Sequence, residues 1–339
     1  MGRVTRYFKR LLLCSGMEIA MNKWKKLGLA AGMGTAAFTT AHIINQCIFQ
    51  AAVSDKITEN KSILKYKWRL GNVAYTVCGK GSPLLLIHDL KPESSSYEWK
   101  RVVKALAKKH TVYTIDLLGC GYSDKPNITY TAYMYTQLLN DFIVNVIARR
   151  VSVAATGQSA PLTIMAAYNN PYLFDKIVLV SPESIRHAMI NPGKHSNIRK
   201  MLLNTPVLGT MLYNIFVNRH EINRKFTNEL FAYQNMIPRE TCKAYHETAH
   251  LGGASAKYLF ASTQCHYTTA SISRAVSQLD NCIYIVSGDK NTDMRAVIKE
   301  YTDLNPAIET YLIPNAKVLP QIEQPEEFVN TLNIYINQI

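Results

Sequence analysis

The sequence predicts an α/β fold: a mostly parallel sheet with helices on both faces, interrupted after its fourth buried strand by a helical insert. Three observations carry that reading. Short continuous apolar runs at 83–90, 111–119, 151–159 and 176–182 have the composition of strands buried on both faces. Amphipathic stretches separate them, and strand–helix alternation of this kind builds a parallel sheet. The alternation stops over 183–279, where Pro192, Pro206 and Pro238 punctuate helices and loops, and it resumes at Cys282.

The elements follow in order. Residues 1–26 hold seven Lys/Arg (Arg3, Arg6, Lys9, Arg10, Lys23, Lys25, Lys26) against the single acid Glu18. From Leu27 to Ser54 there is no charged residue, a length that exceeds the roughly 20 residues a bilayer-crossing helix needs. The expectation is a single N-terminal membrane anchor over 27–53, within a segment 1–61. An amphipathic helix lying on a surface and a cleaved signal peptide are the alternatives. Met21 is a second possible start. Runs at 64–70 and 73–79 alternate like a hairpin with a Gly71-Asn72 turn. Ser94, Ser95 and Ser96 are placed to cap a helix carrying Trp99, Val102 and Leu106. A long helix is expected over 131–150, a strand at 282–288, a helix near 293–301, a strand at 309–313 and a final helix from Pro325. The core is therefore 62–182 plus 280–339, with 183–279 as a cap over the sheet's C-terminal edge, where open α/β sheets bind ligands.

Composition narrows the function. Hydrophobic residues make up 47% of 339 and charged ones 18%, which suits a globular protein with a large core. The net charge of +14 is concentrated at the N-terminus and forms no basic stripe interleaved with aromatics, so a membrane surface is a better partner than nucleic acid. Seven widely spaced cysteines form no CxxC or Cys/His ligand set, which argues against a disulfide framework or a structural zinc site and fits a reducing compartment. No motif calls for a cofactor.

Four segments then fall in a telling order: His88-Asp89 after the run at 83–90; Asp116-Leu-Leu-Gly-Cys-Gly-Tyr-Ser-Asp-Lys-Pro126; Gly157-Gln158-Ser159-Ala160-Pro161; and 313–325 around Val318. Together they resemble the α/β-hydrolase superfamily over 62–339. The resemblance implies a nucleophile elbow with Ser159 as nucleophile, and with the backbone N–H groups of Ala160 and Leu90 as oxyanion donors. Ser159 read as a plain helix cap is the competing assignment. The position for the family acid is Asn291, with Asp289 and Asp293 as off-register neighbours, and the position for its histidine is Val318. No histidine follows His266, so the usual order of serine, acid and histidine is incomplete. Substitute bases are His88, His246, His250 and His266; Glu183 is a displaced acid.

His246-Glu247-Thr248-Ala249-His250 spells H-E-x-x-H, which on a helix aligns two zinc-ligating imidazoles. The third-ligand position of its longer form is Ala256, so a polar helix is the plainer reading. Three functions result: a membrane-associated serine hydrolase acting on an ester or lipid-like substrate; a non-catalytic protein binding a small apolar ligand or a protein partner; and a zinc hydrolase at His246 and His250.

Overall fold

The computed structural model describes residues 23–337. The basic residues Arg3, Arg6, Lys9 and Arg10 and the second start at Met21 lie outside the described residues. Two compact units are present, one ending at Ile44 and the other beginning at Asn45. Helix α1 (Lys23–Ala52) covers the uncharged stretch. Among the described residues no helix is long and apolar enough to cross a membrane, which corrects the expected spanning anchor. The physical reason lies in its composition: Gly32, Gly34, four threonine or histidine positions between Thr35 and His42, and then Asn45, Gln46 and Gln50 dilute the apolar residues.

In the second unit one eight-stranded sheet has the order β1-β2-β4-β3-β5-β6-β7-β8. The strands are β1 (Leu64–Trp68), β2 (Gly71–Cys78), β3 (Ser82–Ile87), β4 (His110–Ile115), β5 (Val151–Thr156), β6 (Phe174–Val180), β7 (Cys282–Gly288) and β8 (Glu309–Ile313). β4 through β8 and β3 pair in parallel, whereas β2 is antiparallel to both β1 and β4. The hairpin turn falls at Arg69-Leu70, two residues before the expected Gly71-Asn72. Asn72 is drawn into β2 because its N–H donates to Asp124 Oδ2 at 2.7 Å and its side-chain amide to the same oxygen at 3.0 Å.

Period-two alternation sorts side chains to the two faces. Leu85 and Ile87 of β3 pack with α3 (Ala132–Phe142) through Tyr135, Leu138 and Phe142, and with α4 (Ser159–Asn169) through Leu162 and Ala166. Leu84 and Leu86 face the other side, against Trp99, Val102 and Leu106 and the C-terminal Phe328 and Leu332. Each such side chain contributes about 1.5–3 kcal/mol on burial. The helix expected over 131–150 is shorter: α3 ends at Phe142, continues as a wider turn over Ile143–Ile147, and stops at Ala148 in the left-handed region.

Between Val180 and Cys282 the described elements are all helical, including α5 (Arg219–Lys225) and α6 (Arg239–His250). They share a core of Tyr213, Ile222, Phe226, Tyr245 and Phe260, which also takes in Leu319 and Ile322 from beyond β8. That junction places the insert against the loops that follow β3, β5 and β8.

Candidate functional site

At the end of β5 the backbone turns sharply into α4. The residue at the apex is Gly157, with φ of +52° in the left-handed region that favours glycine. Ser159 lies two residues further on, inside the first turn of α4, and is fully buried. Its hydroxyl donates to the His88 carbonyl at 2.6 Å, and its own carbonyl accepts from the Thr163 hydroxyl at 2.9 Å. Ser159 is thus a strut between α4 and the end of β3, and it lines none of the space in front of the turn. This corrects the placement of the nucleophile. Of the expected oxyanion donors, the N–H of Ala160 is spent on the Gly157 carbonyl at 3.3 Å, while the Leu90 side chain packs into the core. The N–H that faces the turn is that of Gln158.

That N–H is occupied. Asp89 Oδ1 accepts it at 2.8 Å, and Asp89 Oδ2 pairs with Lys91 at 2.7 Å. A carboxylate on the N-terminal turn of a helix is favourable on electrostatic grounds. It also closes the apex, because a Cβ on Gly157 would stand 2.3 Å from Asp89 Oδ1. Glycine and aspartate are therefore fitted to one another: no side chain fits at 157 while the Asp89 carboxylate lies where it does.

The substitute bases are held elsewhere. His88 Nε2 accepts the Leu117 N–H at 3.0 Å, so its ring proton sits on Nδ1 and donates to the Asp89 carbonyl at 2.7 Å. Complete burial lowers its pKa and keeps it neutral. His250 bonds through Nδ1 to the His246 carbonyl at 2.7 Å and packs against Phe49 and Tyr213, away from Ser159. Burial also lowers its pKa, and burial with its neighbour His250 takes that of His246 down to about 4. His266 stacks edge-on against His187. Glu183 pairs with His187 Nδ1 and accepts from the Gln158 side chain at 3.3 Å; burial raises its pKa.

The zinc reading fails on its glutamate. Glu247 accepts the N–H groups of Ile57 at 2.7 Å and Thr58 at 3.1 Å, and the Thr58 hydroxyl at 2.5 Å. It is an anchor for that segment, and among the described residues no group of His, Cys, Asp and Glu is placed to hold a metal.

Near β7 the Asn291 amide donates to Ser287 Oγ at 3.3 Å, while Asp289 pairs with Lys290 at 3.2 Å. Asp293 starts the helix Met294–Leu304. Val318 donates its N–H to the Leu230 carbonyl of the insert at 3.1 Å, and it shares a cavity with Gly157.

That cavity, about 190 Å³, is the candidate site. Gly157, Asp89 and Glu98 lie on the sheet side; Ile222, Phe226 and Tyr245 come from the insert, and Leu319 from beyond β8. Glu93 at its edge pairs with Lys225 at 2.9 Å. Glu98 is 1% exposed; its Oε1 accepts from Gln321 at 2.9 Å and its Oε2 from the Asp89 N–H at 3.3 Å. Burial, reinforced by the Asp89 charge, pushes its pKa up to about 7. Sequence reasoning missed Gly157, Asp89, Glu98 and Tyr245. The available signal was Gly157 itself, a permissive residue directly after the last strand position, where the apex must be.

The sequence profile described as the alpha/beta hydrolase family matches residues 84–331, more than half of the chain. An uncharacterized protein of Mycobacterium tuberculosis is 33% identical over 108 residues, covering 32% of this chain and 31% of that one. A soluble epoxide hydrolase of a Corynebacterium species is 28% identical over 106 residues, covering 31% and 36%. The chain thus matches about a third of the length of these curated relatives. A meta-cleavage product hydrolase from Pseudomonas fluorescens superposes with a TM-score of 0.66 at 17% identity, over 82% of this chain and 99% of that one, a likeness of fold alone. With the sheet order and the strand-to-helix turn after β5, the profile match establishes that the chain belongs to the alpha/beta hydrolase family.

Proposed function

We propose that this chain is a non-catalytic member of its family that uses the cavity at the end of β5 as a small-molecule binding site. One observation carries the reading: the apex that would present a nucleophile is Gly157, and the neighbouring Gln158 N–H is filled by Asp89. Acyl transfer needs an activated nucleophile and a free oxyanion donor at that point. The buried Ser159 hydroxyl is bonded to the backbone carbonyl of His88, and among the described residues no histidine ring accepts its proton: the His88 ring is bonded to Leu117 and Asp89, and that of His250 to the His246 carbonyl. The cavity itself is independent of the triad, since its walls are packing residues of the fold and the insert.

The test is labelling with a fluorophosphonate, run beside Ser159→Ala and alongside short-chain ester turnover. The expected result is no labelling of either protein and no turnover above the background of buffer. Labelling or turnover that disappears in Ser159→Ala would overturn the non-catalytic reading and restore the serine hydrolase.

A further inference from the structure

The charges around the cavity are unevenly matched. Asp89 has both oxygens engaged, one by a backbone N–H and one by Lys91, and Glu93 has Lys225. Glu229 pairs outward with Arg224. Glu98 is different: it lines the cavity, it is buried, and among the described residues no Lys, Arg or His forms an ion pair with it. Its hydrogen bonds come from an amide side chain and one backbone N–H. A buried carboxylate in that condition is costly until a cation or a proton arrives.

A second, independent group points at the same place. Tyr245 is 4% exposed, lines the cavity, and its hydroxyl has no hydrogen-bond partner of ordinary geometry. Glu98 is the carboxyl that acts on it most strongly, through its charge and a loose side-chain contact, so the two groups border one another in the cavity. Buried hydroxyls are nearly always well satisfied, and this one, held only by that loose contact, leaves its oxygen open to a donor. The groups are complementary to one ligand type: Glu98 accepts hydrogen bonds and carries the unmatched charge, the Tyr245 oxygen accepts another, and Phe226, Leu230, Val318 and Leu319 offer apolar wall.

Resting on the non-catalytic reading above, we propose that the cavity binds a small primary amine with a short apolar tail, its ammonium group held by Glu98 and the Tyr245 hydroxyl. An alkylammonium supplies three N–H donors and one positive charge. The cavity is small and partly walled by apolar side chains, which suits a compact ligand with a short tail. A carboxylic acid or phosphate would instead meet four carboxyl groups, Asp89, Glu93, Glu98 and Glu229, against two lysines, Lys91 and Lys225, that are already paired with Asp89 and Glu93.

The experiment is calorimetric titration of the full-length protein with n-butylamine, n-butanol and butyrate, at pH 6 and pH 8. At pH 8 n-butylamine should bind at least tenfold more tightly than n-butanol, and butyrate should not bind. An alkylamine stays protonated across this range, as a lysine does. Glu98 loses its proton as the pH rises through about 7, so amine binding should tighten from pH 6 to pH 8. Asp89, Lys91, Glu93, Lys225, Glu229 and Tyr245 face the same space, and variants assign the effect among them. Glu98→Gln should lose tenfold or more in amine affinity and the pH dependence with it, with n-butanol unchanged. Tyr245→Phe, which keeps the ring packed against Phe226, should lose severalfold. Equal binding of amine and alcohol, preference for butyrate, no detectable binding of any of the three, or an unaltered Glu98→Gln each overturns the proposal. None of these results bears on fluorophosphonate labelling, so the two readings fail separately.

Discussion

Two buried glutamates of this chain live in opposite circumstances. Glu247 on α6 and Glu98 before α2 (Lys100–Leu106) are each 1% exposed. Glu247 receives two backbone N–H groups and a hydroxyl, all within 3.1 Å, and its surroundings were plainly built for a carboxylate. Glu98 receives one amide side chain and one long backbone bond, and its pKa rises to about 7 under burial and the Asp89 charge. Burial alone therefore does not mark a functional carboxyl. The difference lies in how many donors the fold supplies, and a group that the fold leaves short is the one free to respond to a ligand or to pH. Glu247 has the motif; Glu98 has the chemistry.

The comparison can be broken most forcefully at Glu247. Glu247→Ala strands three half-buried donors on the 57–58 segment, and the expected loss of stability is about 2–3 kcal/mol. Urea denaturation with an unchanged slope would measure it. Added zinc should not restore the lost stability, and a loss below 1 kcal/mol would show that the anchor reading is wrong.

Glu98 should give a smaller effect of a different kind, visible in its pH dependence. Its folded pKa of about 7 lies above the ordinary 4.5 of an unfolded chain, so between those values the folded state binds the extra proton. Stability from this group is present below about 4.5 and is lost as the pH rises toward 7. The ceiling is on the order of 3 kcal/mol, with relaxation and water entry bringing it nearer 1–2. Glu98→Gln should flatten that stretch of the stability–pH curve and be no less stable than the natural protein at pH 8. An unchanged curve would place the Glu98 titration elsewhere.

The sheet was legible in the sequence because buried parallel strands leave continuous apolar runs; β7 and β8 fall on the expected residues, β3 to β6 end two to four residues sooner than their apolar runs, and the β1–β2 turn moved, pulled by Asp124. The site was less legible, and the reason is local. In G-x-S-x-G-like text the eye goes to the serine, but the strained apex is a matter of φ, and Gly157 takes it. Asp89 was visible beside His88, yet its reach across to the Gln158 N–H is a contact over 69 positions that no spacing rule contains. Tyr245 reads as an ordinary aromatic of a polar helix. Its hydroxyl comes to face Glu98 and the cavity only once the insert is folded against the loops after β3 and β8.

Ser159 sharpens the comparison at its smallest scale, as a third buried polar group that resembles Glu247 in being satisfied. Its hydroxyl makes one bond, to the His88 carbonyl at 2.6 Å, and does not line the cavity at the end of β5. Ser159→Ala removes a single neutral hydrogen bond and leaves one carbonyl lone pair unmet, a cost of about 1 kcal/mol, offset in part by alanine's better helix propensity in the first turn of α4. The expected thermal shift is a few degrees downward, since a domain of this size loses about 2–4 °C per kcal/mol. The amine affinity of the cavity should be unaltered, because Ser159 sits behind the turn while Glu98 and Tyr245 sit before it. A loss of n-butylamine binding in Ser159→Ala with the fold intact would mean that the two sides of the turn communicate, and that the strut sets the position of Asp89 as well as that of α4.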